Sequence, residues 1–477
     1  MEQYDLIVIG SGPAGEKAAI QAAQNHKRTA VIETRGVVGG VCVHTGTLPS
    51  KTLRETVLYL AGLKQRSVYG VVCTVKSDVT VGELMYRTRH VIQNELEVIH
   101  NKLMRHGITV LSGRGRLASA HEVEVVDASD GARPLSAEAI IIAAGSRPFR
   151  DPTVPFDDRL IFDSETILNL DRIPKSLVIV GGGIIGCEYA CIFAHLGVAV
   201  TLIDSKPRLI PFLDHEISDA LTHLMRKVGI KVILEDRKEA LTAADNQVTI
   251  ATRGGRTITA EKALFATGRV GNTVGMGLDR VGVPVDERGL IVVDENFHTG
   301  VEKIYAVGDI IGFPALASVS MDQGRLAARH AFGRSETRLN TLLPYGIYTI
   351  PEVSIVGETE AGLSGRGVPY ETGTAHFYEL ARGQIAGDHD GLLKLIFCPH
   401  THKLYGVHII GQDAADLVHV GQAVISFNGT IDFFVDTVFN FPTMSEAYKV
   451  AALNGLANLH AADGSPRIGI DRKRKMS

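Results

Sequence analysis

At 477 residues the chain exceeds what one hydrophobic core organises, so roughly two to four domains are expected. Apolar residues at 45 % and charged residues at 21 % fit an ordinary globular protein, and a net charge of −4 leaves no global footprint for nucleic acid or an anionic membrane. Fifty glycines and no tryptophan suit the tight turns and close backbone approaches of α/β nucleotide binders.

The opening Met1-Glu2-Gln3-Tyr4-Asp5 carries acids where a secretory signal needs positive charge. Apolar stretches such as Ala139 to Gly145 are too short to span a bilayer. Five cysteines without a CxxC give no disulfide framework, and a reduced, cytoplasmic protein is expected.

Leu6-Ile7-Val8-Ile9 reads as a buried strand, followed by a glycine turn, an Ala-rich helix over Pro13–Gln24, and a second strand, Ala30–Glu33. Gly10-Ser11-Gly12-Pro13-Ala14-Gly15 fits GxGxxG between strand and helix. Gly10 permits the turn, Gly12 lets backbone approach a pyrophosphate at the positive helix N-terminus, and Gly15 lets helix pack on strand. Glu33 is placed to accept from adenosine ribose hydroxyls. Helical patterns then fill the stretch from Arg54 to Gly107, notably Val81 to Met104, and a later strand ends at Ala143-Ala144-Gly145.

The same grammar returns in Leu177–Val180, a helix from Ile184 to about His195, and a strand from Val198 to Asp204. Gly181-Gly182-Gly183-Ile184-Ile185-Gly186 supplies the glycines, Gly181, Gly183 and Gly186 at the motif positions, and Ala266-Thr267-Gly268 ends the later strand. Asp204 follows Gly181 by 23 residues, as Glu33 follows Gly10. Two dinucleotide sites in one chain imply a bound flavin and a transient nicotinamide nucleotide. Ile304–Asp309 reads as a strand ending in Gly-Asp. Beyond about Thr349, strands at Leu392–Phe397 and Lys403–Ile410 and helices near Ala414–Phe427 and Ser445–Leu459 indicate a separate α+β domain. A basic tail, 461–477, is expected to be disordered.

Gly39-Gly40-Val41-Cys42-Val43-His44-Thr45-Gly46-Thr47-Leu48-Pro49-Ser50-Lys51 is the most distinctive stretch, and with it the chain resembles the flavoprotein disulfide reductase family from Asp5 to about Leu459. The resemblance implies an α/β fold with two Rossmann-like dinucleotide-binding domains and a C-terminal α+β dimerisation domain. FAD would occupy 1–150 and 280–345, NAD or NADP 151–279, and homodimer contacts 346–460. It further implies that Asp309 holds the ribityl chain of FAD, that Gly115 lies by its adenine, and that Lys51 lies by flavin N5 and pairs with Glu188. Gly39, Gly40 and Cys42 in the flavin loop, with Gly145 and Gly268, complete the cofactor-binding candidates.

Two departures bear on chemistry. Disulfide-reducing members carry a second cysteine where this chain has Thr47, and a hydroxyl cannot close a disulfide with Cys42. They also carry a catalytic His where this chain has Phe441, before Pro442-Thr443, and a phenyl ring cannot shuttle protons. Glu446 is left without an imidazole to orient. The pattern is similar to a branch of the family, of Si-specific type, that moves hydride from NADPH to NAD. Alternatives remain a diaphorase or quinone reductase, or a flavin-bearing redox sensor.

Asp204 suits the free 2′-hydroxyl of NAD, whereas Lys206 and Arg208 could satisfy the 2′-phosphate of NADP or simply be solvated. Cys187 with Cys191, and Cys398-Pro399-His400-Thr401-His402, invite a metal reading. Two small buried residues on a helix and a turn between strands explain them better, and no metal is expected.

Overall fold

The computed structural model describes residues 1–65, 79–127, 131–334 and 338–462. Of the basic tail expected over 461–477, Ala461 and Ala462 close the last described helix and the rest lies outside the described residues. Two units divide the chain: the first comprises Met1–Gly181, Ile192–Ile203 and Asp236–Thr341, the second Gly182–Cys191, Asp204–Glu235 and the chain from Leu342.

In the first unit, β1 (Glu2–Ile9) lies between β2 (Thr29–Glu33) and β6 (Ala132–Ile142), parallel to both. With β3 (Thr109–Ser112), β4 (Arg114–Leu117) and β5 (Glu122–Val126) the order is β3-β2-β1-β6-β5-β4, and strand Ile304–Ala306 also pairs with β6. Strand alternation splits β1 between two cores. Leu6 and Val8 join the alanines of α1 (Pro13–Gln24), whereas Ile7 and Ile9 join Leu117, Val123 and Ile140. A central strand buried on both faces explains why the sequence run is continuously apolar.

The alanines of α1 meet helix Ala317–Ala331 closely enough that a Cβ at Gly324 would stand 2.0 Å from the Ala14 carbonyl oxygen. α2 (Gly40–His44) and α3 (Thr47–Gln65) occupy the distinctive loop, so the helical stretch begins at Thr47, ahead of Arg54. α4 (Val81–Arg105) opens with a capping box between Thr80 and Glu83. A second parallel set in this unit runs Ala199–Ile203, Ser176–Val180, Lys262–Phe265 and Ile161–Asp163, and three strands from Lys238 to Ala260 form an antiparallel sheet.

The second unit takes the first turns of α5 (Ile184–His195) and α6 (His215–Lys227), which Asp214 caps. Its antiparallel sheet runs in the order Tyr345–Ile347, Glu352–Gly357, Leu404–Gly411, Leu392–Phe397, Glu371–His376. Helix Glu446–Ala462 lies on the last strand, where a Cβ at Gly373 would be 2.1 Å from the Ala451 carbonyl oxygen. Lys394, 1 % exposed, reaches Asp214 at 2.8 Å, Glu216 at 2.9 Å and also Glu360, pinning the α6 N-terminus to the sheet. These acids are the only group of three among the described residues close enough to share a cation, and the Lys394 ammonium bonds to all of them. No described helix is long and apolar enough to cross a membrane.

Candidate functional site

The first glycine turn is built by close approach. Gly10 has φ +106°, and a Cβ there would lie 2.3 Å from the Ala143 carbonyl oxygen. A Cβ at Gly15 would lie 1.9 Å from the carbonyl oxygen of Gly10, so α1 can pack on the turn only without a side chain. Gly12 differs: the nearest atom to its added Cβ is the Cα of Gly40, 3.9 Å away. That space lies at the start of α1, with Pro13 in its first turn, where helix N–H groups and the dipole favour an anion.

Glu33 ends β2 with only 6 % of its surface exposed. Its Oε2 accepts from the N–H of Ser11 at 3.2 Å and from the Ser11 hydroxyl, and its Oε1 accepts from the Arg35 N–H at 2.8 Å. The Ser11 hydroxyl also accepts from the Gly39 N–H at 3.1 Å, tying the glycine turn to the loop that carries Cys42.

These groups line one cavity of about 470 Å³, bounded by Gly10 to Ala14, Glu33, Gly40 to Cys42, Thr47, Arg114, Gly115, Ala143 to Arg147, Asn272, and Val307 to Asp309. Strand Ile304–Ala306 ends earlier than the sequence suggests, because Gly308 turns at φ +80° and Asp309 enters a short 3-10 turn. Asp309 lies within that turn: its Oδ2 accepts from the Ser146 hydroxyl at 3.0 Å, and that hydroxyl accepts from Arg269 Nε at 2.8 Å. Arg269 also reaches Glu165 at 3.1 Å, so one base orients the hydroxyl that steadies Asp309.

Glycines, an anchored acid and a cavity of this size bounded by both fit a dinucleotide of FAD type. Gly10, Gly12, Glu33, Gly40, Cys42, Gly115, Gly145 and Asp309 meet at the cavity wall. Gly15, Gly39, Lys51 and Gly268 stand outside that lining. Gly15 and Gly39 shape the turn and the loop, Lys51 on α3 contacts Ser50 Oγ at 3.4 Å, and Gly268, at φ +127°, accepts from the Phe149 N–H at 3.0 Å. Ser146 and Arg269 have no motif that marks them in the sequence, and Ser11 stands at a position of the glycine motif that leaves the residue type open.

Cys42 and Thr47 meet through a side-chain hydrogen bond. Burial pushes the Cys42 thiol up, a hydrogen bond from Thr47 opposes it, and the Asp309 carboxylate adds to the rise. A neutral thiol beside a hydroxyl holds no redox pair. In the second unit, Phe441 is 69 % exposed, and Oε2 of Glu446, at the start of the last described helix, is buried without a hydrogen-bond partner among the described residues.

The second motif repeats the first. Gly181 has φ +114°, and a Cβ there would lie 2.3 Å from the Ala266 carbonyl oxygen. Gly183 has open space around its added Cβ, as Gly12 has, and Gly186 lies in α5. Asp204 accepts from the Gly182 N–H through Oδ2 and from the Lys206 N–H at 2.7 Å through Oδ1. Lys206 is exposed, whereas Arg208 is tied to Asp219 of α6 at 3.1 Å rather than simply solvated. Glu188 is buried and accepts from the Tyr348 N–H at 2.9 Å. Lys51 and Glu188 fall in different units.

Cys187 and Cys191 are fully buried on α5, and burial holds the Cys187 thiol well above its ordinary value. Cys398 to His402 form the turn between strands Leu392–Phe397 and Leu404–Gly411, with His402 Nδ1 against Asp432 at 3.0 Å.

This geometry defines a class, and comparison gives the class its name. The model of the pyridine nucleotide-disulphide oxidoreductases matches residues 4–324, and that of their dimerisation domain residues 343–452. The chain belongs to the pyridine nucleotide-disulphide oxidoreductase family. It is 46 % identical to the soluble pyridine nucleotide transhydrogenase of Mycobacterium bovis, covering 97 % of this chain and 99 % of that one. With the protein of that name from Photorhabdus laumondii it shares 44 % identity over 96 % of this chain and 99 % of the relative. Among solved structures it is similar to LpdA of Mycobacterium tuberculosis, with TM-score 0.87, 25 % identity, and coverage of 95 % of this chain and 99 % of that chain. The flavoprotein disulfide reductase RclA of Escherichia coli, as its Cu(II) complex, gives TM-score 0.86, 26 % identity, and coverage of 95 % and 99 % respectively.

Proposed function

We propose that this chain is an FAD-dependent transhydrogenase that moves hydride from NADPH to NAD, reversibly and with Si-specific stereochemistry, both nucleotides taking turns at one site. The observation that carries this reading is the Cys42–Thr47 pair: the family's dithiol is reduced to one neutral thiol and one hydroxyl. Phe441, in the place of the family's proton-carrying His, agrees with it.

In this reading residues 1–150 and 280–345 hold FAD, 151–279 hold NAD or NADP, and 346–460 form a homodimer of a cytoplasmic protein. The start of α1 at Gly12 takes the pyrophosphate, Glu33 the adenosine ribose, Gly115 the adenine side and Asp309 the ribityl hydroxyls. When bound, the flavin supplies a two-electron carrier able to accept hydride from one nicotinamide and give it to another. Lys51, in the flavin loop, supplies positive charge by N5, and Glu188 is its proposed partner. Gly181, Gly183 and Gly186 admit the nicotinamide nucleotide, and Asp204 receives its ribose. No side chain has to store electrons or shuttle a proton to a disulfide, so positioning and electrostatics are the protein's contribution.

Steady-state assay with NADPH and an NAD analogue tests the proposal. One shared site requires the first product to leave before the second nucleotide enters, so double-reciprocal plots are expected to be parallel. Lipoamide and glutathione disulfide are expected to turn over only at background. Intersecting lines would contradict the shared site, and rapid disulfide turnover would return the chain to dithiol chemistry.

A further inference from the structure

The loop from Asp204 to Ile210 is folded onto one residue. Asp204 Oδ2 accepts from the Gly182 N–H at one end, and the Ile210 N–H donates to the Gly182 carbonyl oxygen at 2.9 Å at the other. A Cβ added at Gly182 would stand 2.7 Å from Leu209 Cδ2 and 3.0 Å from Asp204 Oδ2. The loop is thus closed around the glycine turn, and it carries two bases, Lys206 and Arg208, shortly after Asp204.

α6 fixes the far side of this loop. The Ser218 hydroxyl donates to the Leu209 carbonyl oxygen at 2.6 Å, within the buried core. One residue further along α6, Asp219 Oδ1 accepts from Arg208 Nε at 3.1 Å. Lys206 is exposed and its ammonium makes no ion pair among the described residues, so its flexible stem gives it no set direction. Arg208 has one. Its Nε is engaged while the two Nη groups make no hydrogen bond among the described residues, which leaves the outer edge of the guanidinium as a two-donor fork. That edge matches phosphate oxygens bidentately.

We infer that Asp219 is a specificity-determining residue for NADPH: it holds Arg208 by Nε so that the outer guanidinium edge meets the 2′-phosphate. This rests on the proposed use of both nucleotides. The Arg208–Asp219 pair is exposed on both sides, at 38 % and 62 %, so it adds little to folding, and its consequence is direction rather than stability. Asp219 touches no nucleotide in this arrangement and acts through Arg208.

The test compares purified holoenzyme variants Arg208→Ala, Asp219→Ala and Asp219→Asn by kcat/KM for NADPH and NADH, with inhibition by 2′,5′-ADP and 5′-AMP as a binding readout. For Arg208→Ala the NADPH-to-NADH ratio is expected to fall roughly tenfold, as for one lost charge-assisted contact, through KM rather than kcat. Asp219→Ala is expected to lower the ratio several-fold and weaken 2′,5′-ADP but not 5′-AMP. Asp219→Asn, whose amide oxygen still accepts from Nε, is expected to restore both. A ratio that rises in Asp219→Ala would mean that Asp219 sequesters Arg208, and an unchanged ratio or failed rescue by Asn would equally overturn the inference. Absence of NADPH turnover in the wild type would instead sink the transhydrogenase reading, and this inference with it.

Discussion

Gly12→Ala is expected to give a folded protein that does not retain FAD, whereas Gly15→Ala is expected to lose both cofactor and stability. The two glycines stand three residues apart in one motif, but their surroundings differ. At Gly15 an added Cβ would lie 1.9 Å from the Gly10 carbonyl oxygen and 3.2 Å from Val8 Cγ1, so α1 must move off the turn. Such overpacking typically costs about 1–3 kcal/mol, and here it also displaces the helix start that receives the pyrophosphate. At Gly12 the nearest neighbour of the Cβ is 3.9 Å away, so the methyl group clashes with nothing in the apoprotein, costs at most a modest loss of N-cap preference, and occupies the space left for a ligand. Flavin absorbance per mole of purified protein and the melting of the apoproteins check this. FAD retained normally by Gly12→Ala would mean that the pyrophosphate lies elsewhere, and an apoprotein as unstable as that of Gly15→Ala would mean that Gly12 is structural.

Lys394→Met is expected to destabilise the second unit by about 3–5 kcal/mol, the cost of leaving a buried charge unpaired. Asp214 is 2 % exposed, caps α6 through the Glu216 N–H, and depends on the Lys394 ammonium at 2.8 Å. Burial alone would raise the Asp214 carboxyl, but His408, Lys394 and the Glu360 N–H together hold it below its ordinary 3.8. A depressed folded-state value contributes stability that is present above 3.8 and lost as pH falls through the lower folded value. For Lys394, burial opposes the charge but Asp214 and Glu360 outweigh it, so its contribution is complete below 10.5 and lost only in strong alkali. In Lys394→Met burial of Asp214 goes unopposed by the ammonium and its carboxyl rises. The stability gap to wild type should therefore be widest near neutrality and narrow towards pH 4, as protonation removes the unpaired charge. Urea unfolding at several pH values measures this. A gap independent of pH would show that Lys394 acts by packing its alkyl stem rather than by charge.

Lys394 also marks where legibility in the sequence ends. The glycine turns, the acid that follows each of them, and the bounds of the elements around them could be read because each depends on neighbours at fixed local spacing: Gly10 to Glu33, Gly181 to Asp204, strand to turn to helix. The Arg269–Ser146–Asp309 relay joins residues 123 and 163 positions apart, and Lys394 meets Asp214 across 180. No spacing announces such pairs, since each is made only when two elements have docked. Gly308 shows a nearer limit, because a strand reading carried through Val307 to Asp309 missed the turn that aims the carboxylate into the cavity. Arg208 was legible as a base that follows Asp204 in sequence, but its partner on α6 was not. Phe441 and Thr47 were informative by residue type, because each lacks the group that dithiol chemistry needs.

Anaerobic titration of the holoenzyme with NADPH, followed by absorbance, tests the central claim most directly. Burial holds the Cys42 thiol up and its hydrogen-bond partner is the Thr47 hydroxyl, so the flavin loop carries no dithiol among the described residues. The flavin absorbance is expected to bleach completely with a single equivalent of NADPH per FAD, and addition of NAD should restore it. A persistent long-wavelength band at one equivalent, with a second equivalent needed for bleaching, would show a protein dithiol storing electrons and contradict the account.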